Sequence, residues 1–160
     1  MEAIEGGAPA RVRRLVAHDV GVAMDTPQGL VVPVVRGAEQ RSVPEIAAEL
    51  ARLRDAALAG RLSREDIRQP SFTLSNIGSL GGTYMSPLIA PPQVATGAIG
   101  RARRLPRFKS EDSDQVVAQS IAAVSWAGDH RVLDGATMAR FSNRVKQLVQ
   151  DPIHFLNTTR

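Results

Sequence analysis

Residues 125–135 read SWAGDHRVLDG and place a single histidine, His130, between an apolar run and a glycine turn. The preceding residues, Val116-Val117 and Ile121 to Val124, predict one mostly apolar strand. We therefore expect His130 at the end of a strand beside a tight turn, where a scaffold holds a side chain within reach of a substrate. This position makes it the first candidate for a catalytic base.

His130 opens an H-x-x-x-D-G pattern, which Asp134 and Gly135 complete. The pattern alone is weak evidence, and a second interpretation stays open. The histidine could be packed at a strand end, with Asp134 as the N-cap of the next helix. Residues 136–149 predict such a helix, because their apolar side chains recur on one face.

The composition indicates one folded domain without thiol chemistry of its own. A chain of 160 residues with 43% hydrophobic content buries one core. The lack of cysteine excludes disulfides and a cysteine nucleophile, and no two histidines show metal-ligand spacing, so no metal is predicted. The net charge is +4, but the aromatic content of 4% is too low for a base-stacking platform, so nucleic acid is not expected. No apolar run has the length of a bilayer span, so a membrane is not expected either.

The chain is organised as an unstructured leader over residues 1–12, which lack any pattern, and a domain over 13–160. The turn Pro27-Gln28-Gly29 joins the first two strands, and Ser42 with Glu45 forms a capping box at the start of a helix. The predicted elements are strands over 16–24 and 30–35, a helix from Ser42 to Gly60, a helical turn over 63–67, and strands over 71–75 and 94–99.

Two segments have a composition typical of binding surfaces. Residues 76–87 combine three glycines with three serine or threonine side chains and predict a binding loop, although an ordinary tight loop has the same composition. Residues 101–109 carry five basic side chains ahead of the acidic loop 111–114. The basic run predicts either a solvated surface or a contact for a phosphate-rich ligand.

Three motifs in one order carry a family resemblance. Residues 25–30 (DTPQGL), 72–82 (FTLSNIGSLGG) and 129–135 (DHRVLDG) resemble the catalytic domain of 2-oxoacid dehydrogenase acyltransferases. Residues 88–97 (LIAPPQVATG) and 139–143 (ARFSN) resemble the branched-chain lipoamide acyltransferase group of that family. The resemblance implies an α/β fold like that of chloramphenicol acetyltransferase, with a mixed β-sheet and flanking helices.

The same resemblance implies acyl transfer between dihydrolipoamide and coenzyme A. It implies that His130 is the general base, that Ser75 is the oxyanion donor and approaches from a neighbouring subunit, and that Asp134 orients the active-site turn. Arg131 is expected to form a structural ion pair. Arg54 falls at a further position that contacts coenzyme A in the family, but an arginine there departs from the branched-chain pattern. The positions implied to contact coenzyme A are Asp25, Ser75, Asn76, Ser79, Gly100 and Ala102.

The resemblance begins near Arg13, so the chain is expected to be an N-terminally truncated catalytic domain, with the lipoyl group carried on a domain outside it. The implied partners are further copies of the chain in trimers and a larger core, and the dehydrogenase and dihydrolipoamide dehydrogenase subunits of the complex. The implied compartment is the mitochondrial matrix in a eukaryote or the cytoplasm in a bacterium. Two alternatives stay open: a non-catalytic fragment or assembly element of the same complex, and a free-standing small-molecule acetyltransferase.

Overall fold

The computed structural model describes residues 2–4 and 11–153, and it consists of a central mixed sheet, two helices and two separate strand pairs. The strands are β1 (Glu2–Ile4), β2 (Arg11–Arg13), β3 (Val20–Thr26), β4 (Gly29–Val31), β5 (Val34–Val35), β6 (Phe72–Asn76), β7 (Ala95–Ile99), β8 (Arg103–Phe108), β9 (Val116–Ile121) and β10 (Val124–Gly128). The helices are α1 (Val43–Leu58) and α2 (Gly135–Gln150), with 3₁₀ turns at Ala38–Gln40 and Ile77–Leu80.

The central sheet has the strand order β10-β7-β6-β3-β4, and β5 also pairs with β3. The three middle strands, β3, β6 and β7, are parallel, whereas β10 runs antiparallel to β7 and both β4 and β5 run antiparallel to β3. The expected α/β fold with a mixed sheet and flanking helices is confirmed. Because β10 is reversed, the chain leaves it at the edge where β7 begins.

Both long helices begin at the residues that the sequence predicts. At α1, the Glu45 backbone N–H donates to Ser42 Oγ (3.4 Å) and the Ser42 backbone N–H donates to Glu45 Oε2 (2.7 Å), which confirms the capping box. Gly60 follows α1 with φ +64°, a left-handed conformation that glycine adopts without strain. At α2, Asp134 is the N-cap, so this part of the alternative interpretation is confirmed.

The two faces of the sheet are covered differently. On one face, Trp126 lies against Gly97, and the rings of Trp126 and Phe141 of α2 meet edge-on at 5.0 Å. On the other face, Val32 and Pro70 cover Gly21, where an added Cβ would lie 2.8 Å from a Val32 methyl. α2 therefore packs on the Trp126 face, and loops cover the Gly21 face.

Four sequence expectations differ from the structure. Within the expected leader over 1–12, Glu2–Ile4 pairs antiparallel with Arg11–Arg13, which the absence of a pattern did not predict. Residues 116–124 form two strands instead of one, broken at residues 122–123. The basic run contains the exposed strand β8.

The fourth difference is at residues 63–67, where the structure has a turn and no helix. Asp66 accepts the backbone N–H of Ser63 (2.9 Å), which closes the turn. Asp66 also accepts a hydrogen bond from Arg52 of α1 (2.6 Å), which lowers the pKa of Asp66 to about 2. A side-chain turn of this kind competes with helix formation.

The helix core makes a prediction about stability. Leu53 of α1 is completely buried, whereas Leu58 at the end of the same helix is 51% exposed. Leu53→Ala should lower the free energy of unfolding by about 2–5 kcal/mol, because it leaves a cavity. Leu58→Ala, the matched control, should cost less than about 1 kcal/mol. Urea denaturation of both variants measures the difference, and equal losses would contradict the position of α1.

Candidate active site

The loop that carries His130 is held by the residue before it. The Asp129 backbone N–H donates to the carbonyl oxygen of Val94 (2.8 Å), which extends the β10–β7 pairing by one bond. The carbonyl oxygen of Asp129 accepts two N–H groups, from residues 132 and 133 (both 2.9 Å). His130 lies on the exposed side of this turn and makes no hydrogen bond within the described part of the chain. A fixed backbone with an accessible imidazole suits a catalytic base.

The side chains on either side of His130 also form an ion pair. Arg131 pairs with the carboxylate of Asp129 at 2.8 Å, as expected of a structural residue. This hydrogen bond is the main cause that lowers the pKa of Asp129. Asp129 thus acts through its backbone and its carboxylate to shape the turn.

Asp134 caps α2 directly after the turn. Its Oδ1 accepts the backbone N–H of Thr137 at 2.6 Å, and this bond is the main cause that lowers the pKa of Asp134, with smaller effects of the Thr137 side chain and of the charges of Arg140 and His130. Gly135 begins the helix without a left-handed φ, and an added Cβ would meet no atom within 4 Å. The capping role of Asp134 is therefore observed, and an orienting effect on His130 stays a prediction.

Ser75 lies at the opposite end of the sheet. It is the last residue but one of β6, it is half-buried, and its hydroxyl makes no hydrogen bond to the described residues. Directly after it, Asn76 Oδ1 accepts the N–H of Gly78 (3.1 Å) and Ser79 Oγ donates to the carbonyl oxygen of Asn76 (2.9 Å). These bonds fix the turn that follows Ser75 and leave its hydroxyl available.

Two glycines let this turn pack against the end of β7. A Cβ on Gly100 would lie 2.0 Å from the carbonyl oxygen of Thr83, and a Cβ on Gly78 would lie 2.8 Å from the Arg101 backbone. The Arg101 backbone N–H also donates to the carbonyl oxygen of Gly82 (2.8 Å). The glycine-rich loop is thus a tight contact that only residues without a side chain allow.

A cavity of about 530 Å³, here called the edge cavity, opens beside this turn. Its polar lining residues are Arg54, Asn76 and Ser79, and apolar residues of β3 and α1 form the rest. Within the described residues, Arg54 pairs only with its exposed neighbour Asp55 (3.1 Å). Of the expected coenzyme A contacts, Asn76 and Ser79 line this cavity, whereas Asp25, Ser75, Gly100 and Ala102 do not line it.

The four expected contacts that do not line the edge cavity lie at the same edge of the sheet as that cavity. Asp25 is exposed near the end of β3, Ser75 precedes Asn76, and Gly100 and the exposed Ala102 follow β7. Since β3, β6 and β7 are parallel, their carboxyl ends meet at one edge. This edge is a common one for ligand binding in parallel sheets.

His130 and Ser75 do not meet within one chain. Ser75 is level with Ala98 of β7, whereas Gly128 of β10 is level with Ala95. The Cα atoms of Ser75 and Gly128 are therefore about 14 Å apart, because they are offset by three residues along the strands and by two strand spacings across the sheet. His130 lies two residues beyond Gly128. A reaction that uses both side chains needs two copies of the chain.

A second cavity was not predicted from the sequence. It has a volume of about 470 Å³ and is lined by Thr73, Gln93 and Thr96, among other residues. Thr96 is a polar residue inside the apolar strand β7, where it is 3% exposed. A buried polar residue in such a strand is the one sequence signal that could have indicated the cavity.

The described residues show neither a metal site nor a membrane-spanning helix. No group of three or more His, Cys, Asp or Glu side chains in residues 2–4 and 11–153 is placed to hold a metal ion. Nor is any helix among them long and apolar enough to cross a bilayer. Of the other two histidines, His18 has its Nδ1 3.4 Å from Glu39 Oε2, and His154 falls outside the described residues.

Comparisons with known proteins place these features in a family context. A family model for the catalytic domain of 2-oxoacid dehydrogenase acyltransferases matches residues 6–157. The lipoamide acyltransferase component of the mitochondrial branched-chain alpha-keto acid dehydrogenase complex of Caenorhabditis elegans is 54% identical over 136 residues, which cover 85% of this chain and 30% of that protein. The dihydrolipoyllysine-residue acetyltransferase of the pyruvate dehydrogenase complex of Staphylococcus epidermidis is 40% identical over 134 residues, 84% of this chain and 30% of that protein.

Solved structures share the fold. A structure of Azotobacter vinelandii dihydrolipoamide acetyltransferase, which addresses a serine, a histidine and an asparagine in its catalytic mechanism, superposes with a TM-score of 0.86 at 33% identity, over 97% of this chain and 62% of that chain. The cubic core of the pyruvate dehydrogenase multienzyme complex gives a TM-score of 0.82 at 34% identity, over 89% of this chain and 58% of that chain. This chain spans under a third of the curated relatives' length and under two thirds of these structures.

The contact at Gly100 gives a stability prediction. Gly100→Ala should lower the free energy of unfolding by at least about 1–3 kcal/mol, because its Cβ would collide with the Thr83 backbone. Gly135→Ala is the matched control and should not destabilise, because space is open there and alanine favours a helix. Denaturant unfolding measures both variants. A Gly100→Ala variant as stable as the parent would contradict the packing of the loop against β7.

The N-cap of α2 gives a second prediction about stability. Asp134→Ala should lower the midpoint of thermal unfolding by about 2–4 °C at neutral pH, because it removes the acceptor of the Thr137 N–H. Asp134→Asn keeps an acceptor and should unfold close to the midpoint of the parent. Thermal unfolding of the two variants at equal pH measures the difference. Equal destabilisation by both would contradict the capping role.

Proposed function

The chain belongs to the family of 2-oxoacid dehydrogenase acyltransferases, and from this we propose that it transfers an acyl group between dihydrolipoamide and coenzyme A. The branched-chain relatives favour a branched acyl group. The single observation that carries the proposal is a pair of groups at opposite ends of the sheet, the His130 imidazole and the Ser75 hydroxyl, which make no hydrogen bond to the residues that the structure describes. Both are held by fixed backbone and reach outward.

We propose that His130 is the general base. A thiol has a reference pKa of about 8.5 and is mostly protonated at neutral pH, so its attack needs a base. His130 takes the proton from the thiol of coenzyme A, and the sulfur attacks the carbonyl carbon of acyl-dihydrolipoamide. When the tetrahedral intermediate collapses, the bond to the dihydrolipoamide sulfur breaks and His130 returns the proton to that sulfur.

Ser75 would stabilise the intermediate in this reaction. Negative charge collects on the former carbonyl oxygen, and a hydrogen bond from Ser75 Oγ to that oxygen lowers the barrier. Asp134 would orient the His130 turn from its position as the cap of α2. Support for this comes from the Azotobacter structure, whose histidine and asparagine are four positions apart, as His130 and Asp134 are here.

The edge cavity is the proposed site for coenzyme A. Asn76 and Ser79 supply hydrogen-bonding groups there, and Arg54 supplies a cation suited to a phosphate. Asp25, Ser75, Gly100 and Ala102 complete the proposed contacts at the same edge. Coenzyme A brings the reacting thiol, and the cavity holds the molecule so that this thiol reaches Ser75.

The separation of Ser75 from His130 supports an assembly of several copies. A head-to-tail contact that brings His130 of one copy to Ser75 of the next generates a ring when its rotation closes, and a trimer is one such ring. We propose such trimers, joined into a larger core, with the dehydrogenase and dihydrolipoamide dehydrogenase subunits as further partners. The lipoyl group would arrive on a domain outside this chain.

Substitutions at the two groups test this function. With isobutyryl-CoA and dihydrolipoamide, His130→Ala should lower kcat by about 10²–10⁴-fold, because the base is lost. Ser75→Ala should lower kcat by about 10²–10³-fold, because the oxyanion donor is lost. His18→Ala removes an exposed histidine outside the site and is the control. Transfer that is undiminished in His130→Ala would refute His130 as the base. The absence of any transfer by the parent chain would instead favour a non-catalytic role.

A further inference from the structure

The cavity of about 470 Å³, here called the face cavity, lies on the sheet face that carries Ser75. Thr73 and Thr96 are paired in register, so their side chains share this face. Ser75 lies two residues after Thr73 and therefore points to the same side, about 7 Å along the strand. The edge cavity begins at the next residue, Asn76. The strand residues Val22, Met24 and Asn76 of the edge cavity alternate with Ser75 and point to the opposite face, so Ser75 shares its face with the face cavity and lies next to the edge cavity along the chain.

The walls of the face cavity are mostly apolar, but its base is not. Val32, Pro70 and Leu88 contribute apolar surface, and no charged residue lines the cavity. Gln93 is 5% exposed, and its Oε1 accepts the hydroxyl of Thr73 at 2.9 Å. This bond leaves Gln93 Nε2 without a hydrogen bond to any described residue.

Thr96 adds a second unsatisfied group beside it. Its Oγ1 is buried and has no hydrogen-bond partner in the described part of the chain. One χ1 step exchanges the methyl and hydroxyl groups of a threonine, so this hydroxyl can turn toward a molecule in the cavity. Buried polar groups are paired in most folded proteins, so the unpaired Thr96 hydroxyl, beside a Gln93 amide without a hydrogen bond to the described residues, calls for a polar ligand atom.

We propose that the face cavity binds the acyl chain and that, between chains of the same carbon skeleton, branched or not, it prefers the one that carries an uncharged oxygen, above all a hydroxyl. The proposal rests on the proposed function, since it takes Ser75 as the group beside the thioester carbonyl. A hydroxyl both donates and accepts, so it suits the Gln93 amide and the Thr96 hydroxyl together. A carboxylate would be buried without a cation and is disfavoured.

The distances agree with this assignment. Thr96 is two residues along and one strand across from Ser75, which separates their Cα atoms by about 8 Å. An acyl chain whose carbonyl lies at Ser75 therefore directs its β-carbon and later carbons toward Thr96 and Gln93. A plain hydrocarbon chain would displace water from these two residues without replacing its hydrogen bonds.

Paired ligands and near-isosteric variants test the inference. The ligands are butyryl-CoA and the two enantiomers of 3-hydroxybutyryl-CoA, which differ by one hydroxyl. Thr96→Val removes the unpaired hydroxyl, and Gln93→Glu removes the Nε2 donors while keeping an acceptor for Thr73. Calorimetric titration without dihydrolipoamide gives Kd, and transfer assays give kcat/KM.

The parent chain should prefer one hydroxylated enantiomer over butyryl-CoA by about tenfold in Kd and kcat/KM, the value of one hydrogen bond in a buried site. Each variant should reduce this preference to near one and leave butyryl-CoA binding unchanged or tighter. If Gln93→Glu does not fold, Thr96→Val still decides the question.

Two negative outcomes are distinguishable. Butyryl transfer that depends on His130, with no preference for a hydroxylated chain or with a preference that both variants retain, would overturn this inference alone. The absence of any acyl-CoA binding would overturn both this inference and the proposed function.

Discussion

The antiparallel pairing of β10 with β7 determines where the two candidate catalytic groups stand. β3, β6 and β7 are parallel, so their carboxyl ends share one edge, and Ser75 and the glycine-rich turn lie there. β10 is reversed and delivers His130 to the other edge. A backbone pairing of five residues thus separates the groups by more than a side chain can span. The proposed dependence on neighbouring copies follows from this strand direction and not from any one side chain.

Close backbone contacts then fix what surrounds each group. On the Ser75 side, Gly78 and Gly100 allow the turn to lie directly against the end of β7. On the His130 side, Asp129 ties the turn to Val94 and to Arg131. Rigid supports of this kind hold reactive groups in place without burying them. The face cavity lies on the sheet face that carries Ser75, and the edge cavity begins at the next residue, Asn76.

Local signals predicted the elements well, because their causes are local. The Ser42–Glu45 capping box, the Pro27–Gly29 turn and the Asp134 cap each involve residues at most four positions apart. The separation of Ser75 from His130 depends on strand order and direction, which the residues at each site do not encode. The face cavity is lined by residues from distant segments of the chain. Strand β8, which pairs with β9, was not predicted because its arginines leave no apolar pattern. The family resemblance predicted Asn76 and Ser79 as coenzyme A contacts and Arg54 as a further contact position, and all three residues line the same cavity.

The central claim is that each active site combines Ser75 of one copy with His130 of another. Its most direct test is the activity of assemblies formed by co-expressing equal amounts of Ser75→Ala and His130→Ala chains, each inactive alone. Random assembly leaves about a quarter of the contacts with both groups intact, so the account predicts about a quarter of the parent kcat. Activity no higher than that of the separate variants, in assemblies shown to contain both chains, would place both groups in one chain and contradict the account.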